Sequence, residues 1–342
     1  KKELTVNKLT KLGVSALCGS LAAVSSANAG ALSVSGGVDM SWLSLEDDST
    51  GNPIGIGSNF GLAGSGELDN GWGVALSIAM NNGNAYSNTN VVVSIPALGD
   101  IRISQGVSGG GLDRMDDNTP NVWEEAYATG LGTGINTVAG ASGAANFEIT
   151  PSAFMPAGLT ARVLIAPEAG GSGSADKGSS GAGGTGGGYD VTLEAGSELL
   201  GVDGLTIYAG MSSIDKDTAV STQEDGVDEE TIGIKYAMGG FTVGYQVSKE
   251  DLGTNSGAMQ YDNTGYGITF NVNDDLSVGY NNYESDQTNS GTDVTAEAAS
   301  FQVAYTMGGM SIRLAQASID NAKYQTTTDY DRDARTVSVS LA

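Results

Sequence analysis

The sequence predicts an all-β protein, an antiparallel β-barrel of 16 strands that crosses a membrane. Three observations carry this. Apolar residues alternate with small or polar ones at a period of two along most of the chain, the spacing of strands with one greasy face. Seven short turns join those strands in pairs, and long polar loops separate the pairs. The face opposite the greasy one is crowded with Gly, Ala, Ser and Thr and poor in Lys and Glu, unlike a soluble surface.

The first 29 residues stand apart. Lys1, Lys2, Lys8 and Lys11 precede an uncharged run at 12–24 and the exit Ala27-Asn28-Ala29. That is the layout of a secretory signal peptide at 1–29, leaving 30–342 as the barrel. Its removal takes four of the 15 basic residues and one of the 40 acidic ones, leaving 11 against 39, a net charge of −28. It also removes Cys18, the only cysteine, and the chain has no histidine. Disulfides, thiolate metal sites and a His-based triad are therefore excluded, and no enzyme activity is expected. Such acidity also excludes nucleic acid as a partner.

The strands follow in order. Leu32, Val34, Val38, Met40 and Trp42 alternate first, and a weaker strand carries Phe60 and Leu62. After Asp69-Asn70-Gly71 come Trp72, Val74, Leu76, Ile78 and Met80, then a polar loop at 81–88. Val91, Val93 and Ile95 turn at 96–99 into Ile101 and Ile103. The stretch 107–145 lacks alternation, and a loop that long in a compact protein is usually functional. Strands resume around Phe147, Leu159, Val191 and Leu205, with short turns at 155–157 and 201–204.

The clearest units are two hairpins closed by Gly239-Gly240 and Gly308-Gly309, since glycine supplies the positive φ of tight turns. In the first, Met238 should face Phe241, Tyr236 Val243, Ile234 Tyr245 and Ile232 Val247. Between these hairpins lie expected loops at 250–263 and 287–296 and a short turn at 273–275; Val337, Val339 and Leu341 close the chain. Seven turns join fourteen strands, and the first and last make 16, a size that leaves an aqueous channel. Trp72, Phe154, Tyr236, Phe241, Phe270 and Tyr305 lie near the short turns, with Tyr245, Tyr280 and Tyr283 toward the other strand ends. Two such groups read as aromatic girdles at the two interfaces. A secreted all-β adhesin with its greasy faces packed inward is the alternative from another class.

Alternation further places Arg102, Arg162, Lys235 and Arg313 on the polar face, each a few residues from a short turn. The long loop carries Asp113, Arg114, Asp116, Asp117, Glu124 and Glu125, with Trp123 and Tyr127 able to anchor it. Acidic stretches at 116–117, 215–217, 225–230 and 329–333 suit loosely bound Ca²⁺ or Mg²⁺, although none has the spacing of a built calcium loop.

Over 30–342 this pattern of strands, long fifth-to-sixth-strand loop and acidic balance resembles the general porins of Gram-negative outer membranes. The resemblance implies a homotrimer of water-filled barrels in outer-membrane lipid and lipopolysaccharide, with periplasmic turns and extracellular loops. It implies passive diffusion of small hydrophilic solutes, or else a substrate-specific channel of the same fold. It also implies that the third loop, 107–145, folds into the lumen, so that its carboxylates face the four wall cations across a throat. A transverse field and mild cation preference are the expected result.

Overall fold

The computed structural model describes residues 32–46, 52–81, 85–105, 109–142, 145–169, 186–217 and 220–341. The expected signal segment lies outside them. Sixteen strands form one closed antiparallel barrel in which each pairs with its sequence neighbours. β1 (Leu32–Leu45) closes on β16 (Arg332–Leu341), with Val38 opposite Leu341 and Leu45 opposite Ala334. Closure leaves no open edge, which is what a lipid environment demands of a sheet.

The expected short turns each join a hairpin. They link β2 (Ile54–Glu67) to β3 (Gly73–Asn81), β4 (Ala85–Ile95) to β5 (Gly99–Gln105), and β6 (Asn146–Thr150) to β7 (Leu159–Ala166). They also link β8 (Gly188–Ala195) to β9 (Leu205–Ile214) and β10 (Val227–Met238) to β11 (Phe241–Asp251). The last two pairs are β12 (Ala258–Asn271) with β13 (Leu276–Asn289) and β14 (Val294–Met307) with β15 (Met310–Asp320). The register of β10 with β11 is the expected one at all four apolar pairs. Gly239 and Gly308 each take φ +61°, and only the first glycine of each pair is positive, the pattern of a type II′ turn.

The greasy faces point outward. Ile232, Ile234, Phe241, Val243 and Phe301 are exposed, whereas the inward Thr231, Gln246, Ser300 and Gln302 are buried. An apolar surface of this extent has no place in water. The adhesin arrangement, with greasy faces packed inward, is thereby overturned. Phe241 stacks on Phe270 at 4.3 Å near the turns, and Tyr245, Tyr266 and Tyr280 face outward farther up. Tyr283 does not join them: three residues from Tyr280, it lies on the opposite face and is buried inside.

Three expected loops are shorter than the alternation suggests. β4 begins at Ala85, β11 runs to Asp251 while β12 starts at Ala258, and β13 and β14 leave only 290–293 between them. The reason is that a strand needs a greasy face only where it meets hydrocarbon. Above that level Glu230 pairs with Lys249, and Lys249 with Asp262, in continuous ladders.

Candidate pore constriction

The segment between β5 and β6 lies inside the barrel, and its backbone is tied to inward residues of many strands. It starts beneath β5 and β6 and forms a 3₁₀ turn, Gly111–Met115, packed on β7, β8 and β9. Gln246 Nε2 on β11 donates to the Met115 carbonyl at 2.7 Å. Trp123 N–H donates to Gln302 Oε1 on β14 at 3.1 Å, and Gln302 Nε2 returns a bond to the Glu124 carbonyl at 2.5 Å. Thr336 Oγ1 on β16 donates to the Thr129 carbonyl at 2.8 Å. The chain then turns back. Lys323 N–H bonds the Thr133 carbonyl at 2.6 Å, and Ala139 N–H reaches Glu229 Oε1 on β10 at 3.1 Å. The loop is thus a double strap wrapped around most of the inner wall.

Its turning point is held by an apolar core within the lumen. Ala126 and Leu131 are buried with Ala296, Ala298, Ala317, Ile319, Ala322 and Ala334, with Leu43 and Tyr127 packed against them. Tyr127 meets Tyr283 edge-on at 4.7 Å, so this residue anchors through its side chain. Trp123, by contrast, anchors through its backbone amide. In the sequence the inward alanines belong to a small, wet face, but a loop that covers them turns them into core.

The charged groups are distributed differently from the simple opposition of loop carboxylates and wall cations. Asp113 accepts the Gly109 N–H and braces the start of its own loop. Arg114 turns to the wall and pairs with Glu148, while Arg102 Nη2 lies 3.3 Å from the same carboxylate. A half-buried guanidinium needs a counter-charge, and Glu148 serves two of them. Arg162 sits within electrostatic reach of both. Lys235 lies under the loop, its Nζ 3.1 Å from Asn118 Oδ1 and over the Tyr208 ring at 5.9 Å. Arg313 pairs with Asp39 at 3.5 Å. The four wall cations therefore form no single patch facing the loop.

Asp116, Asp117, Glu124 and Glu125 do gather. Burial, then Asp117 and Asp113, push the Asp116 carboxyl up to about 8. Burial and Asp117 likewise push Glu125 up to about 8, while Asn121 Nδ2 donates to it at 2.5 Å. Burial also raises Glu124, opposed by Arg313. Asp117 is exposed. Sequence reading misses Asp190, Glu229 and Glu250, buried carboxylates that meet the loop's backbone or Asn136. Their signal is nevertheless present: acids at inward positions of strands otherwise lined by small residues. Among the described residues no three carboxylates converge as a metal-binding set.

A family model described as Gram-negative porin matches residues 13–323. No curated protein matches the sequence. Among solved structures, the chain resembles Salmonella typhi OmpF in complex with daunomycin, at TM-score 0.67 and 11% identity over 91% of this chain and 97% of that one. An anion-selective porin from Comamonas acidovorans matches at TM-score 0.63 and 13% identity, covering 91% and 99%. The trimer form of Vibrio cholerae OmpT matches at TM-score 0.60 and 11% identity, covering 92% and 99%. These likenesses concern the fold. With the family match over most of its length and a closed barrel that is greasy outside, the chain belongs to the Gram-negative porins, β-barrels of the outer membrane.

Proposed function

We propose that this porin is a general diffusion channel for small hydrophilic solutes and ions, with mild cation selectivity set by the strap inside its lumen. One observation carries the reading: the acidic group Asp116, Asp117, Glu124 and Glu125 lies on a segment wrapped along the inner wall, where permeating ions must pass. Negative charge in this cluster, which grows as Asp116 and Glu125 lose their protons, raises the local concentration of cations in a narrow aqueous throat. Three arginines, Arg102, Arg114 and Arg162, favour the opposite sign nearby, as does the fold likeness to an anion-selective porin. Glu148 pairs with Arg102 and Arg114, and Glu148 and Glu194 both attract Arg162, so two wall carboxylates offset most of the three charges. Assembly as a homotrimer is supported by the trimer form of Vibrio cholerae OmpT, which shares the fold. The outer apolar face would then meet lipid and two further copies of the chain.

The test is reconstitution of the purified protein in a planar bilayer. Step-like ohmic openings and a reversal potential of cationic sign in a salt gradient are expected. A silent bilayer removes the channel reading, and an anionic sign hands the selectivity to the arginines. Saturation of the current by one solute class would instead mark a substrate-specific channel.

A further inference from the structure

The two legs of the strap cross the same stretch of wall where they leave β5 and rejoin β6, and there three wall carboxylates take hold of backbone amides. Glu148 Oε2 on β6 accepts the Gly111 N–H at 2.8 Å. Asp190 on β8, fully buried, accepts the Leu112 N–H of the outgoing leg at 2.9 Å. The same carboxylate accepts the Ala141 N–H of the returning leg at 3.0 Å. Glu229 on β10 accepts Ala139 N–H at 3.1 Å and Gly140 N–H at 2.5 Å. Gly111 and Gly140 stand on either side of Asp190, with φ of +53° and +65°. A methyl group at Gly140 would lie 2.6 Å from Asp190 Oδ2, and one at Gly111 would overlap it outright.

We propose that Asp190, backed by Glu148 and Glu229, is a positioning residue that sets the pore's aperture by clamping both legs of the strap to the wall. The two ends of the strap are fastened by different chemistry, with Gln246, Gln302 and Thr336 holding its middle. Its far end is held by the apolar core around Leu131, and its near end by charge-assisted hydrogen bonds to this clamp. Opening the clamp would shift the near end, while the apolar core and the contacts of Gln246, Gln302 and Thr336 keep the rest of the strap in place. Asp190 touches no permeating solute; it acts through where it holds the strap.

The inference rests on the channel reading, so wild-type conductance is the control that separates the two. Asp190→Ala should give larger and noisier single-channel steps, by about 1.5-fold or more if the strap narrows the throat. It should also admit larger sugars in liposome swelling, a shift in size cut-off that a mere loss of stability would not give. Asp190→Asn, which keeps an acceptor, should lie between it and the wild type. Gly140→Ala should copy Asp190→Ala from the other side of the contact. The Gly140→Ala change should add less in the Asp190→Ala background than alone, because of its two close contacts only Leu112 Cβ, at 2.9 Å, remains. Normal conductance and cut-off in correctly folded Asp190→Ala and Gly140→Ala barrels would overturn the clamp while leaving the channel intact. Should Asp190→Ala fail to fold, Gly140→Ala and Glu229→Gln decide the question by the same two readouts.

Discussion

Selectivity should depend on pH in a direction set by Asp116 and Glu125. Both carboxyls are held at about 8 by burial and by their acidic neighbours. A group with that value is about 1% ionised at pH 6 and about 90% at pH 9. The throat therefore gains nearly two negative charges across that window. An ion passing about 8 Å from one charge feels about 0.5 kcal/mol in water. Salt at 0.1 M cuts this to roughly half. Two charges acting oppositely on cation and anion then separate them by about 1 kcal/mol, or about fivefold in permeability ratio. The sign follows from raised values: the proton is kept at neutral pH and lost as pH rises, so cation preference grows upward through about 8. Stability runs the other way, because what the neutral carboxyls contribute is fully present below about pH 4 and fades through about 8. The assay is reversal potential in a KCl gradient at pH 6, 7.5 and 9, with Asp116→Asn/Glu125→Gln as the control that removes their share. A wild-type curve no steeper than that of the double variant, or one turning toward anions at high pH, would show that these carboxyls do not set the selectivity.

Other substitutions probe other parts of the molecule. Asp116→Lys/Asp117→Lys should move the reversal potential toward anions with little change in folding; Asp113 is left alone because it braces Gly109. Leu131→Ala, which empties part of the lumen core, should cost about 2–5 kcal/mol in a well-packed site. Here that cost should appear as faster proteolysis of the strap in detergent and noisier current, with the barrel still resistant to SDS at room temperature. Ile234→Arg, on the lipid face of β10, should lower barrel stability by about 2–4 kcal/mol if it lies near mid-bilayer. Refolding titrations into lipid measure this, and a neutral result would deny that this face meets hydrocarbon.

Much of the barrel is legible from spacing alone, because each hairpin carries its instructions locally. Period-two alternation gives the faces, and Gly239 and Gly308 give the turns, so the pairing of Ile232 with Val247 needs no distant information. The strand ends are less legible: once β11 leaves hydrocarbon its residues are all polar or charged, and Glu250 reads as loop although it sits in a ladder. The strap is harder still. That 107–145 should enter the lumen comes from resemblance, and no local pattern reveals which wall residue a segment without periodicity will meet. The Leu112 amide finds Asp190, 78 positions away, and Asn136 finds Glu250. Arg114 looks like one more charge for the throat, yet burial obliges it to find Glu148. Inward alanines such as Ala298 and Ala317 are equally at home facing water or a covering segment, so composition does not distinguish the two.

The position of the strap makes the channel lopsided. Its contacts described above fall on β5 through β11, on β13 through β16 and on β1, and inward residues of β8, β10, β13 and β14 are buried beneath it, as with Thr192, Thr231, Asn281 and Ser300. On β2 and β3 the inward Asn59, Ser65 and Ala75 are exposed instead. Water must therefore run along β2–β4, past small side chains on one flank and the strap on the other. Ala75 lies in the same cross-strand row as Val92, Arg102 and Glu148, so it sits in line with the clamped base of the strap. A bulky residue there should obstruct the path directly. Ala75→Trp is expected to cut single-channel conductance by on the order of half. Val74→Trp adds comparable bulk one residue away but turns it toward lipid, where an aromatic ring is welcome, and should leave conductance unchanged. If the two variants conduct alike, the open path does not follow β3, and the strap must leave its gap elsewhere on the wall.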